Sequence, residues 1–372
     1  MKKSYLKIFN TQEEYDAQKG EVMGEPHVVL LEDTKEVVYC KHDTEPSIDY
    51  SKEFFTIEAL EDGLTVSLSQ NAYEYRIDDG SWNTLSADSN TPSINKGQKL
   101  SFKITNPTIS YGIGTFTVNK AFNVEGNIMS LLYGDDFIGQ IDLSGKDHAL
   151  HGLFNNCTTL QNAKNLILPA TTLADSCYYE MFANCTSLTE APELPSTTLA
   201  DSCYESMFDG CTSLTIVPEL HATTLASLCY SAMFYDCTSL TTAPELHVTT
   251  LADDCYSYMF YGCTSLTIAP ELHATTLADS CYESMFDGCI SLTTAPELHA
   301  TTLAYDCYYN MFKGCSKLNY IKMLATDISA RRCLSNWVDG VASTGTFVKA
   351  VSMTTLPSGV SGIPNGWVVE NA

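Results

Sequence analysis

The chain has 372 residues, 44% of them apolar and 17% charged, a composition that folds and that excludes an intrinsically disordered protein. Its net charge of −25 disfavours phosphate backbones and anionic membranes as partners, because a surface of that sign repels both. The charge is uneven: residues 1–150 carry 13 Lys/Arg against 24 Asp/Glu, residues 151–320 carry 3 against 18, and residues 321–372 carry 4 against 3. Such a surface suits divalent cations better than anions, and its plainest role is to keep a long array soluble.

Lys2 and Lys3 make a basic start, but no apolar run of signal-peptide length follows, and no stretch is long and apolar enough for a transmembrane helix. The expectation is a product made in the cytoplasm that does not use the general secretory route and does not insert into a membrane. Residues 1–50 read as a small α/β module. Thr11 with Glu14 forms a capping box for a helix running to about Lys19, and two apolar runs, residues 27–32 and 36–41, flank Asp33-Thr34-Lys35 as a hairpin. Fifty residues with so few apolar groups are marginal alone, so this module is expected to dock on a partner or on a second copy of itself. Residues 51–125 alternate with period two around turn signals at Glu61-Asp62-Gly63, Asp79-Gly80 and Asn95-Lys96-Gly97, an all-β sandwich pattern.

Residues 126–335 are a solenoid, introduced by residues 126–156, which would cover its open end. One cysteine series falls at Cys177, Cys203, Cys229, Cys255, Cys281 and Cys307, each followed by Tyr, and Cys333 keeps the 26-residue spacing. A second, in Met-Phe-x-x-Cys, falls at Cys185, Cys211, Cys237, Cys263, Cys289 and Cys315, with Cys157 upstream. Such a period means stacked units, each burying its apolar face against its neighbours. Within residues 196–221, Leu199, Cys203, Tyr204, Met207, Phe208 and Cys211 form an apolar stripe that predicts a short helix ending near Gly210, and the Thr-rich stretch around Pro218 predicts extended chain. The expected fold is therefore α+β: a solenoid of 26-residue coils, each a short helix plus a strand, preceded by the small all-β sandwich and the N-terminal module. Residues 336–372 form a C-terminal cap, with a helix near residues 332–338, a strand at 346–351, and Trp337 and Trp367 in the cap core.

The cysteines lack the C-x2-C spacing of zinc sites and read as buried small apolar groups, with inter-coil disulfides or a metal as the alternatives. His221, His247, His273 and His299 form one column, either a metal-binding or acid-sensitive ladder or a tolerant loop position. Glu193, Glu219, Glu245, Glu271 and Glu297 form another, either a Ca²⁺ or Mg²⁺ site or a solvated edge. Tyr179, Tyr235, Tyr258, Tyr261, Tyr305 and Tyr309 occupy variable positions and suit contact with a sugar or a protein. Repeated polar residues give ladders instead of one asymmetric pocket, so neither catalysis nor a cofactor is expected.

The units Cys-Tyr-x-x-Met-Phe-x-x-Cys-Thr-Ser-Leu-Thr-x-Ala-Pro-Glu-Leu-x-Ala-Thr-Thr-Leu-Ala resemble the BspA-like leucine-rich repeats of Bacteroides and related gut bacteria. Residues 122–135 are similar to the entry of such arrays, and residues 337–348 and 362–367 to their exit. The resemblance implies surface exposure and adhesion to host or mucosal glycans or proteins. The opening Tyr5-Leu6-Lys7-Ile8-Phe9-Asn10-Thr11-Gln12-Glu13-Glu14-Tyr15 is instead similar to openings of structural proteins of bacteriophages infecting Bacteroides. That likeness implies a virion fibre or decoration whose residues 1–50 contact other virion proteins and further copies of the chain. A bacterial cell-surface adhesin is the alternative.

Overall fold

The computed structural model describes three strands within the first 49 residues, and residues 49–69, 73–87, 89–106, 112–354 and 356–372. The chain divides into two units, Met1–Asp49 and Tyr50–Ala372. In the first, β1 (Tyr5–Phe9) runs parallel to β2 (His27–Leu31), which pairs antiparallel with β3 (Glu36–Cys40). The β2–β3 pair is the hairpin read from the two apolar runs. The helix read over residues 11–19 lies outside the described residues.

The second unit begins with β4 (Phe55–Ala59), β5 (Val66–Leu68), β6 (Tyr73–Ile77), β7 (Asn83–Leu85), β8 (Lys99–Ile104), β9 (Phe116–Val118) and β10 (Phe122–Asn127). β5 and β9 pair as a two-stranded sheet. The other five join β11 (Leu160–Ile167) in one six-stranded sheet of order β11-β10-β4-β8-β6-β7. Alternation places Phe55, Ile57, Leu100, Phe102 and Phe116 in the core. A single turn of helix, α1 (Ser130–Tyr133), is tied to this sheet by Ser130, whose Oγ donates to the Phe102 carbonyl at 2.8 Å and accepts from the Phe55 N–H at 3.0 Å. β10 crosses residue 125 and pairs in parallel with β11, a strand of the first coil, so the sheet continues directly into the array. On its other side β10 closely approaches residues 53–54, just before β4, and Gly126 permits it: its φ is +80°, and a Cβ there would strike the Phe54 carbonyl.

One side of the array is extended chain. Bridges link Glu190 to Ile216, Leu194 to Leu220 and Thr198 to Thr224, and the same pattern returns at Thr242–Ile268 and Thr250–Thr276. The ladder broadens at its end into a parallel sheet of β12 (Tyr320–Met323), β13 (Thr346–Lys349) and β14 (Val368–Asn371).

The other side corrects the expected helix. Residues 201–210 are successive turns, and so are residues 331–340, where a cap helix was read. Ser202, Ser206 and Gly210 have φ of 52°, 53° and 69°, so every fourth residue is left-handed. Hydrogen bonding alternates with them: the N–H groups of Cys203, Glu205, Met207 and Asp209 bond three residues back, while those of Ser202, Tyr204, Ser206, Phe208 and Gly210 reach forward to the carbonyls of Ser227, Cys229, Ser231, Met233 and Tyr235 in the next coil. An α-helix satisfies its donors four residues back and spends none on a neighbour. Here half of them go to the neighbour, and no helix forms.

The core is a set of columns along the array. Phe154, Phe182, Phe208, Phe234, Phe260, Phe286 and Phe312 stack with centroids 5.3–5.7 Å apart, beginning on Phe116 of β9. Tyr178, Tyr204, Tyr230, Tyr256, Tyr282 and Tyr308 stack beside them, and both columns end on Trp337, which is fully buried. The fourteen cysteines from Cys157 to Cys333 are free and buried. Those of the second series have a structural task, because each thiol donates to the Phe carbonyl one coil back: Cys211 to Phe182 at 3.1 Å, Cys237 to Phe208 at 3.2 Å, Cys263 to Phe234 at 3.1 Å.

Candidate functional site

Stacking fixes what can vary. The Cys, Tyr, Met and Phe of each turn side point inward; the residues between them differ from coil to coil, and most are half-buried or exposed, although Ser231, Ser257 and Asp287 are buried. Residues 201–211 and 279–289 are identical in sequence and bracket two dissimilar coils. In one outward column Asp209 and Asp287 therefore flank Tyr235 and Tyr261, and in the neighbouring column Glu205 and Glu283 flank Ser231 and Ser257. The result is a framed panel with four carboxylates around two tyrosines and two serines.

Its geometry is built from close contacts. Tyr235 and Tyr261 stack with centroids 4.4 Å apart and planes 6° apart, and both are half-buried. Ser231 and Ser257 share a hydrogen bond of 2.9 Å and form a buried floor. Tyr258, in a left-handed conformation with φ 57°, sits 6.2 Å from Tyr261 and donates its hydroxyl to Glu283 Oε1 at 2.6 Å. Burial, and then the charges of Asp236 and Glu180, push the Asp209 carboxyl up to about 6. Burial likewise raises Glu205 and Asp236, and pushes the Tyr235 hydroxyl up to about 12. At the other corner Asp287 has a cation, Lys313, at 3.6 Å.

The six tyrosines singled out by sequence do not form one cluster. Tyr235, Tyr258 and Tyr261 share the panel. Tyr309 instead lies under the Arg332 guanidinium, 4.4 Å from the ring centre, and Arg332 also meets Asp306 at 3.1 Å and the hydroxyl of the exposed Tyr305 at 3.5 Å. Tyr179 packs edge-on against His151 at 5.0 Å. Asp209, Glu205 and Asp236 were hidden in the general acidity of the array. Their signal is that they occupy the outward positions of an otherwise invariant turn.

The His and Glu columns lie on the extended side. A groove of about 430 Å³ separates Ile216, Pro218, Glu219 and His221 from Thr242, Pro244, Glu245 and His247. Ile216, which lines it, is exposed by 56%, and Ile268, on the same extended side of the array, by 60%. Within single coils, His273 Nε2 lies 4.0 Å from Glu271, and His299 Nδ1 lies 3.4 Å from Glu297, which also binds Lys322 at 2.9 Å. Glu193, Glu219 and Glu245 stand exposed. Among the described residues, no three His, Cys, Asp or Glu side chains converge as a set that could hold a metal ion. No helix among the described residues is long and apolar enough to cross a membrane.

No curated protein and no solved structure matches the chain. A family model does: residues 150–267 and 229–333 match the BspA type leucine rich repeat region, in six copies. Over those residues the stacked coils, with their inward Cys-Tyr-Met-Phe turns, match a BspA-type leucine-rich-repeat region.

Proposed function

We propose that the chain is a non-enzymatic display protein whose turn-side panel contacts host-surface or mucosal glycans or proteins. The observation that carries this reading is the contrast between invariant inward residues and the framed outward set at Glu205, Asp209, Tyr235, Tyr261, Glu283 and Asp287. Carboxylates accept hydrogen bonds from sugar hydroxyls, and exposed tyrosine edges cover apolar C–H surface, so the panel offers both halves of a carbohydrate contact. Weak single contacts are sufficient when many copies act together, as on a particle. The opening segment's likeness to phage structural proteins supports placement on a virion as a fibre or decoration, with residues 1–50 attaching to other virion proteins and to further copies. The BspA-type repeats favour the second reading, a bacterial cell-surface adhesin.

Two measurements test this. Binding of the full chain to immobilised mucin and a glycan array is expected, with loss on combined Tyr235→Ala and Tyr261→Ala. Retention of all binding by that variant would remove the panel from the site. Peptide mass spectrometry on gradient-purified particles is expected to find the chain at a fixed ratio to the major capsid protein. Recovery from the cell envelope instead would select the adhesin.

A further inference from the structure

The two ends of the strand ladder differ. At the first coil β11 is covered by β10 and the sheet behind it. At the last, β14 pairs, among the described residues, with β13 alone and is an edge. Natural edges are blunted by lysine, proline or a covering segment. β14 reads Val-Val-Glu-Asn, all four residues are exposed, and neither Lys nor Pro interrupts it. Val368 and Val369 are exposed by 61% and 44%, and Val360, whose carbonyl receives the Val338 N–H as the last layer on the turn side, by 45%. Exposed valine therefore appears on both halves of the final layer.

The free hydrogen-bonding groups can be named. Val368 donates to the Gly345 carbonyl at 2.8 Å and Ala372 to the Lys349 carbonyl at 2.9 Å, which fixes the alternation of a parallel pair. Residues 368, 370 and 372 face β13, and the N–H and C=O of Val369 and Asn371 face outward.

We infer that this end is a self-association surface: β14 of one copy pairs antiparallel with β14 of a second copy about a two-fold axis at Val369. In that register Val369 exchanges both backbone hydrogen bonds with the partner's Val369, and Val368 lies opposite the partner's Glu370. Placing the axis at Glu370 would set two carboxylates face to face, which is unfavourable. Charge selects the end-to-end arrangement. The array carries 3 Lys/Arg against 18 Asp/Glu over residues 151–320, so two arrays repel side by side, whereas residues 321–372, with 4 against 3, approach without that penalty. An interface of this kind is isologous and closes at two copies, which limits the polymerisation that an open strand edge invites.

Sedimentation of the full chain across a wide concentration range tests the inference. A reversible monomer–dimer equilibrium is expected. Val369→Pro removes an outward N–H while leaving the donors to β13 in place, and should weaken dimerisation by at least about tenfold. Val369→Lys should act in the same direction, and unchanged thermal unfolding of either variant excludes loss of the fold. Val369→Cys should give a dimer linked through residue 369 on mild oxidation. A chain monomeric at every concentration, or a dimer unaffected by both Pro and Lys, would overturn the inference; the second result would move the interface to residues 1–49.

Discussion

Cutting the phenylalanine column at its centre should cost more than removing one ordinary core residue. Phe234 is fully buried and stacks on Phe208 and Phe260, both at 5.7 Å with planes 3° and 8° apart. A buried Phe→Ala change costs about 3–5 kcal/mol, and two stacked faces place Phe234→Ala in the upper half of that range. Backbone links should survive, since the Phe234 carbonyl still accepts from the Cys263 thiol. The loss therefore falls on the contacts of one coil with its two neighbours. In a one-dimensional array such a loss can also divide the cooperative unit, because each coil contacts only its neighbours. Urea unfolding followed by far-UV circular dichroism should show a lower midpoint and a broadened or two-step transition. Phe234→Leu, which keeps most of the volume, should lose less than half as much. A single transition within about 1 kcal/mol of the wild type would refute the view that adjacent coils hold one another through this column.

Other outcomes follow from named groups. Burial pushes the thiols of Cys177, Cys229 and Cys307 up to about 12; alkylation mapped by mass spectrometry should spare them at pH 8 in the native protein and label them after denaturation. The same shift leaves their contribution to stability intact below about 9 and removes it as pH rises towards 12, which an alkaline unfolding series would detect. Asp209 is raised from 3.8 to about 6, so its favourable contribution is complete below 3.8 and is lost as pH rises through 6. Asp209→Asn should therefore raise the melting temperature at pH 7 and flatten its slope between pH 4 and 6. Arg332→Ala leaves the Asp306 carboxylate, only 3% exposed, without its cation at 3.1 Å; the melting temperature should fall, and adding Asp306→Asn should recover part of the loss.

The repeat and its columns were legible because stacking demands the same side chain at the same place in every coil, as with Phe208, Phe234 and Phe260. The turn side was not. Apolar residues at 199, 203, 207 and 211 look helical over one or two turns, yet a helix of about 3.6 residues per turn drifts by roughly 40° for each four-residue step. A strict period of four is the better signature of the observed turns. The left-handed residues carry no compositional mark either, since Ser202, Ser206, Tyr258 and Asp306 adopt positive φ as Gly210 does. The expected hairpin and the strand near Thr346 followed from local alternation. The parallel union of β10 with β11 joins segments far apart in the chain and leaves no local trace. At the candidate site the tyrosines were conspicuous by type, whereas Asp209 and Glu205 became visible only through their place in the frame.

The aromatic column does not begin with the array. Its first ring is Phe116, which meets Phe55 at 5.3 Å and Phe102 at 5.4 Å inside the β-sheets and then stacks on Phe154 at 5.6 Å, while the Cys157 thiol bonds to the Phe116 carbonyl at 3.1 Å. The sheets thus present a finished seat for the first coil, and each coil, once placed, is the seat for the next. During synthesis the template leaves the ribosome first, so the array can grow one layer at a time without waiting for its end. Evolution can lengthen or shorten such a protein by whole coils while both seats, Phe116 at one end and Trp337 at the other, stay in use. The length of the array is then set by gene duplication alone.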